Sequence, residues 1–167
     1  MIQMNYSEIL SNARKDPDLL SQIDMPAFMA SLETTNPYFE NKTLPDLSTD
    51  IFNVVSELSE IGIKEKENIC NRLTEYYHVG QIYQFQKGRY IRWLRKPKGG
   101  NDNVKLTNGG VVMEIIFREQ GGTYILCMTN QRRPCQLRFD DCLFFQKLTD
   151  EEQLVLAVSA YCHTGES

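Results

Sequence analysis

The sequence has no apolar run near the ~20 residues that a bilayer span needs. Apolar runs such as 111–113 and 154–158 fall far short of it. Histidine occurs only at positions 78 and 163, and Trp93 is the one tryptophan. A Ser–His or Cys–His nucleophile therefore has little to draw on, and neither His78 nor His163 stands in a nucleophile-elbow setting. Glycine pairs fall at turns, and none opens a helix as a phosphate-binding loop does. Cys70, Cys127, Cys135, Cys142 and Cys162 include no closely spaced pair of the kind that starts a zinc site. Cys127, Cys135 and Cys142 are separated by seven and six residues, and Cys162 abuts His163 too closely for both to reach one metal. An odd cysteine count points to free thiols in a reducing compartment. Residues 1–6 show neither the basic region nor the apolar stretch of a signal peptide. Repeats and low-complexity tracts are also missing. The expectation is a chain with no membrane span, no disulfide framework, no metal, no cofactor and no catalytic residue.

What is present is an ordinary globular composition. The 167 residues are 41% hydrophobic and 24% charged, enough to bury a core without covalent staples. The net charge of −4 hides a division along the chain. Residues 1–78 carry 6 basic and 13 acidic side chains, residues 79–148 carry 12 and 5, and residues 149–167 carry 4 acidic and no basic ones. An acidic region followed by a basic one points to an anionic partner for the basic part. The competing reading is internal: the two regions complement each other.

Periodicity then divides the chain. In residues 1–47, Asp16-Pro17 and Asp24 with Pro26 mark starts of short helices, the second holding Phe28, Met29 and Leu32. Residues 34–47 have two prolines and no period, and read as an extended connector. Ser48 is the expected cap of a helix with Ile51, Val54, Val55, Leu58 and Ile61 on one face. Gly62 breaks it, and a second helix is expected from Lys64 to Tyr77, making 48–79 a helical hairpin. From 80 to 148 the pattern turns strand-like, with strands expected at 81–86, 89–95, 104–107, 111–119, 123–129, 135–139 and 142–147. Asn108-Gly109 is a two-residue hairpin signal. Strand 111–119 is expected to put Val111, Met113, Ile115 and Phe117 on one face. Cys135, Leu137 and Phe139 should point inward, with Gln136 and Arg138 outward. Asp140-Asp141 read as a turn. Thr149 and Glu152 fit a capping box that opens a last helix in 149–167. The fold class is α+β: an N-terminal helical arm, a helical hairpin, a small antiparallel β barrel or curled sheet, and a closing C-terminal helix.

One segment stands out as a binding candidate. Lys87, Arg89, Arg92, Arg95, Lys96 and Lys98 surround Tyr90 and Trp93 in residues 87–98. Arginine and lysine neutralise phosphates or acidic side chains, and exposed aromatics stack on bases. Arg132 and Arg133 join the candidate face, and Arg118 and Arg138 extend it if their strands lie nearby. The bland alternative makes Ile91, Trp93 and Leu94 core residues, with arginines snorkelling at the rim. On the binding reading, Arg92→Glu with Arg95→Glu should abolish association and leave the fold intact.

The run from Gly88 to Leu94, then 106–112 (Leu-Thr-Asn-Gly-Gly-Val-Val), then 139–149 (Phe-Asp-Asp-Cys-Leu-Phe-Phe-Gln-Lys-Leu-Thr) resembles uncharacterised proteins of large nucleocytoplasmic DNA viruses. The resemblance covers about residues 80–160. It implies a viral protein, a virion or minor capsid component found in the particle or the host cytoplasm. The expected function is that of a non-enzymatic structural or interaction protein, docked through its N-terminal arm and basic-aromatic face. Its partners would be proteins of an assembly, with nucleic acid as the alternative.

Overall fold

A computed structural model describes residues 15, 39, 42–99 and 104–164, with side chains to 158. The expected helix starts at Asp16 and Asp24 lie outside the described residues. Residues Leu47–Lys147 form one compact unit; the described residues before and after them belong to another.

Helix α1 (Leu44–Ser56) starts four residues before the expected cap. Thr43 does the capping: its hydroxyl accepts from the Asp46 N–H at 3.3 Å, and the Asp46 carboxylate accepts from the Thr43 N–H at 2.9 Å. This is a capping box with Asp in the usual Glu position. Pro45 falls in the first turn, where a missing N–H costs nothing. The end of the connector is thus helical, and Phe39 within it is buried.

Helix α2 (Ile63–Arg72) is capped by Gly62 and ends at Leu73. The expected continuation to Tyr77 fails. Tyr76, Tyr77, His78 and Val79 instead form strand β1 (Tyr76–Val79), paired antiparallel with β6 (Cys142–Lys147). The other strands are β2 (Tyr90–Arg95), β3 (Gly110–Arg118), β4 (Gly122–Thr129) and β5 (Pro134–Arg138). All six form one antiparallel sheet in the order β1-β6-β2-β3-β4-β5. Of the two expected forms it is the open one, a sheet with β1 and β5 as edges. β2 to β5 form a meander. After a 3-10 turn at Phe139–Asp141, β6 returns to the other side of β2. Helix α3 (Asp150–Thr164) follows, with the expected box: the Thr149 hydroxyl accepts from the Glu152 N–H at 3.1 Å, and the Glu152 carboxylate from the Thr149 N–H at 2.9 Å.

Two bulges bend β3 and its approach. Leu106 faces Leu94 while Gly110 faces Ile91, so four steps on one strand match three on the other. Asn108-Gly109 therefore lies in a one-residue bulge rather than a hairpin turn, and 104–107 make one bridge rather than a strand. A second register shift lies between Val112 and Glu114. Val112 points into the core opposite Cys127, and past the shift Ile115, opposite Ile125, joins its face while Val111 lies on the other; Met113 and Phe117 are exposed. The expected single face of Val111, Met113, Ile115 and Phe117 is thereby split.

The two faces of the sheet bury different cores. On one, Phe145 and Leu94 pack with Ile51, Val55 and Leu58 of the α1 region and with Ile69 and Leu73 of the α2 region. The other carries Tyr77, Val79, Ile91, Trp93, Val112, Ile125, Cys127, Leu137 and Phe144, all buried. Phe144 stacks on Phe139 at 6.0 Å between centroids and meets the edge of Phe85 at 5.2 Å. Burial of each such side chain is worth about 2–3 kcal/mol.

The expected strand 81–86 is a 3-10 turn at Ile82–Gln84. Buried polar groups dictate that. The Gln84 side-chain oxygen accepts from the N–H groups of Gly80 and Gln81 at 3.0 and 2.9 Å. Gln146, fully buried, donates to the Gln84 carbonyl at 3.2 Å and to the Tyr77 hydroxyl, and accepts from the Gln86 N–H at 3.2 Å. These bonds occupy the N–H groups of Gln81 and Gln86 and the Gln84 carbonyl, which a strand would turn to a ladder.

Candidate interaction surface

Strand alternation divides the expected basic-aromatic cluster. Trp93 and Arg95 share one face of β2, Tyr90 and Arg92 the other, so the four are not one contact surface. Trp93 is 4% exposed and pairs with Phe144 in the core. It cannot stack on a base, which removes the anchor of that reading. Arg92 is half-buried and committed: Nε donates to the Thr107 carbonyl at 2.8 Å and Nη1 to the Arg72 carbonyl at 3.5 Å. Burial pushes the neighbouring Tyr76 hydroxyl pKa up, and Arg92 pulls it the other way. Arg92→Glu would break this knot, so the expected double variant is no clean surface probe.

The rest of the cluster is also partly tied down. Arg89 donates to the Gln86 side chain at 2.8 Å and to the Lys147 carbonyl at 2.6 Å. The Tyr90 hydroxyl donates to the Asn108 carbonyl and accepts from Asn130 at 3.1 Å. Lys96 donates to the Asp140 carbonyl at 3.1 Å, and Lys98 pairs with Asp141 at 3.4 Å. That last pair is exposed and contributes little. Lys87, before β2, and Arg95, at its last position, are exposed.

A better-formed surface lies on β3, β4 and β5, on the face whose β6 and β2 residues pack with the helices. Register places Val111, Met128 and Pro134 in one row, Leu126 and Gln136 in the next, and Ile116, Tyr124 and Arg138 in a third. Val111, Ile116, Tyr124, Leu126 and Met128 are half-buried. Arg118 lies over the Tyr124 ring at 4.4 Å and donates to the Gln136 side chain at 2.9 Å. The cation–π contact is worth about 0.5–1 kcal/mol at such a site. Arg118 and Arg138 are exposed at one end of this strip, and the β4–β5 turn at the other end carries Arg132 and Arg133, both exposed. Glu114, opposite Leu126, is the acidic residue in the strip.

No protein-family model, curated protein or solved structure matches the chain. Among the described residues, no group of His, Cys, Asp and Glu could hold a metal ion, and no helix is long and apolar enough to cross a membrane.

Tyr124 and Gln136 were invisible as site residues in the sequence. The alternation of each strand was readable, but only the register of β4 on β3 and β5 brings them beside Arg118 and Arg138.

Proposed function

We propose that the chain is a non-enzymatic structural or interaction protein that docks on an acidic protein surface through the strip of β3, β4 and β5. The observation that carries the reading is the placement of Arg118, Arg138, Arg132 and Arg133 at the two ends of a half-buried apolar row. Apolar contact would supply the affinity and the arginines the register, as at protein interfaces rich in Arg and Tyr. The proline-broken N-terminal arm is a second contact on this reading. With the resemblance over 80–160, the assembly would be a virus particle.

The test is fluorescence anisotropy with a labelled poly-glutamate peptide and, in parallel, labelled single-stranded DNA over a salt series. The expected result is peptide binding that falls at least tenfold when Arg118, Arg132, Arg133 and Arg138 are all changed to Glu, with the circular dichroism spectrum kept. Tighter DNA binding with a steep salt slope would replace the reading with the nucleic-acid one. No binding to either ligand at low salt would overturn both.

A further inference from the structure

Cys127 and Cys135 stand directly opposite each other on β4 and β5. The Thr129 N–H donates to the Arg133 carbonyl at 2.9 Å, so Thr129 directs its backbone toward the chain entering β5, as a residue of a hydrogen-bonded pair does. Two residues along each strand, the Cys127–Cys135 pair is of the same kind. Such pairs have Cα atoms about 5.5 Å apart, inside the ~4.4–6.8 Å window that a disulfide spans. Facing residues also send their side chains to the same side of the sheet. Both thiols are free in the structure. Their surroundings differ. Cys127 is fully buried on an inner strand, whereas Cys135 is half-buried on the edge strand, which has a neighbour on one side only.

We propose that Cys127 and Cys135 form an oxidation-sensitive dithiol that closes to a reversible cross-strand disulfide when it meets a small-molecule disulfide such as oxidised glutathione. The order of events follows from access. The Cys135 thiolate attacks one sulfur of the oxidised glutathione, forming a mixed disulfide and releasing one glutathione thiolate, which takes up a proton. Cys127 then loses its proton, and its sulfur attacks Cys135 Sγ and displaces the second glutathione. Two protein thiols are oxidised, and one glutathione disulfide is reduced to two thiols. Burial pushes the Cys127 thiol up to about 12, so it is slow as a first attacker and becomes competent only beside the activated Cys135 sulfur. Facing Cβ atoms in a ladder stand farther apart than an unstrained disulfide holds them, so the bond should be labile to reductants. It would lock the β4–β5 hairpin, whose turn carries Arg132 and Arg133. The inference stands independently of the docking proposal.

The whole chain is incubated with oxidised glutathione, alkylated, cut with trypsin and analysed by mass spectrometry. Cys127 and Cys135 fall on different tryptic peptides, because cleavage after Arg132 separates them. The expected result is an intact mass lower by two hydrogen atoms and a cross-linked pair of those peptides, lost on dithiothreitol treatment and absent in Cys135→Ser. Retention of the cross-link in Cys142→Ala is also expected. A glutathione adduct that persists on Cys135, a link through Cys142, or thiols that all remain alkylatable would each overturn the proposal.

Discussion

Gly109 shows how one residue sets the geometry around it. Its φ is +95°, and a Cβ there would lie 2.3 Å from the Ile91 carbonyl oxygen. That neighbour is backbone of β2 and cannot swing away. Gly109→Ala therefore combines left-handed strain with a clash, and should cost on the order of 3 kcal/mol. The loss is readable as a lower urea midpoint with an unchanged slope. Asn108-Gly109 was legible as a site of positive φ. What the dipeptide did not disclose is that the chain carries on along β2 instead of reversing, since bulge and hairpin turn draw on the same residue types. Trp93 makes the same point for the candidate site. Arg92 and Arg95 lie close to it in sequence, while its neighbours in space include Phe144.

Among the elements, α1 offers the sharpest test because two residues compete for its cap. Ser48 looks like a cap in sequence, but the reciprocal bonds of Thr43 and Asp46 place the start at Leu44. Thr43→Ala should destabilise by about 1 kcal/mol, and Ser48→Ala, inside the helix and exposed, should change stability by well under that. Equal effects in chemical denaturation would contradict the observed boundary. The stretch 73–79 is the converse case. Its aromatics fit a helix face, but Tyr76–Val79 gain a ladder on β6, whose partners lie about seventy residues downstream. Aromatic residues suit a half-buried strand as well as a helix, so the long-range pairing decides.

On the scale of the whole molecule, titration links His78 to stability. Burial lowers its pKa below the usual 6.5; Asp50 and Glu57 oppose that shift and Lys96 adds to it. The folded chain thus holds His78 neutral where the unfolded chain protonates it. The stability so contributed is complete above pH 6.5 and is lost as pH falls through the folded value. Unfolding midpoints should drop between pH 7.5 and pH 5.5, and His78→Asn should flatten that drop even if it lowers both midpoints. A wild-type slope retained in the variant would assign the pH dependence to other groups.

The sequence by itself determined what local physics controls. The three-and-four spacing of Ile51, Val54 and Val55 specifies an amphipathic helix, although Leu58 and Ile61, expected on the same face, lie past its end at Ser56, and Thr149 with Glu152 specifies a helix start. The alternation of Cys135 to Arg138 specifies a strand with one buried face. Each signal spans a few residues and needs no distant partner. The tertiary structure alone decided that Tyr76–Val79 would be a strand, that β3 would bulge, and that Trp93 would be core. It also decided that Arg118 and Tyr124 would meet beside Arg138 and that Cys127 would face Cys135. These outcomes depend on register between strands remote in sequence. A shift of one residue there sends every side chain to the opposite face.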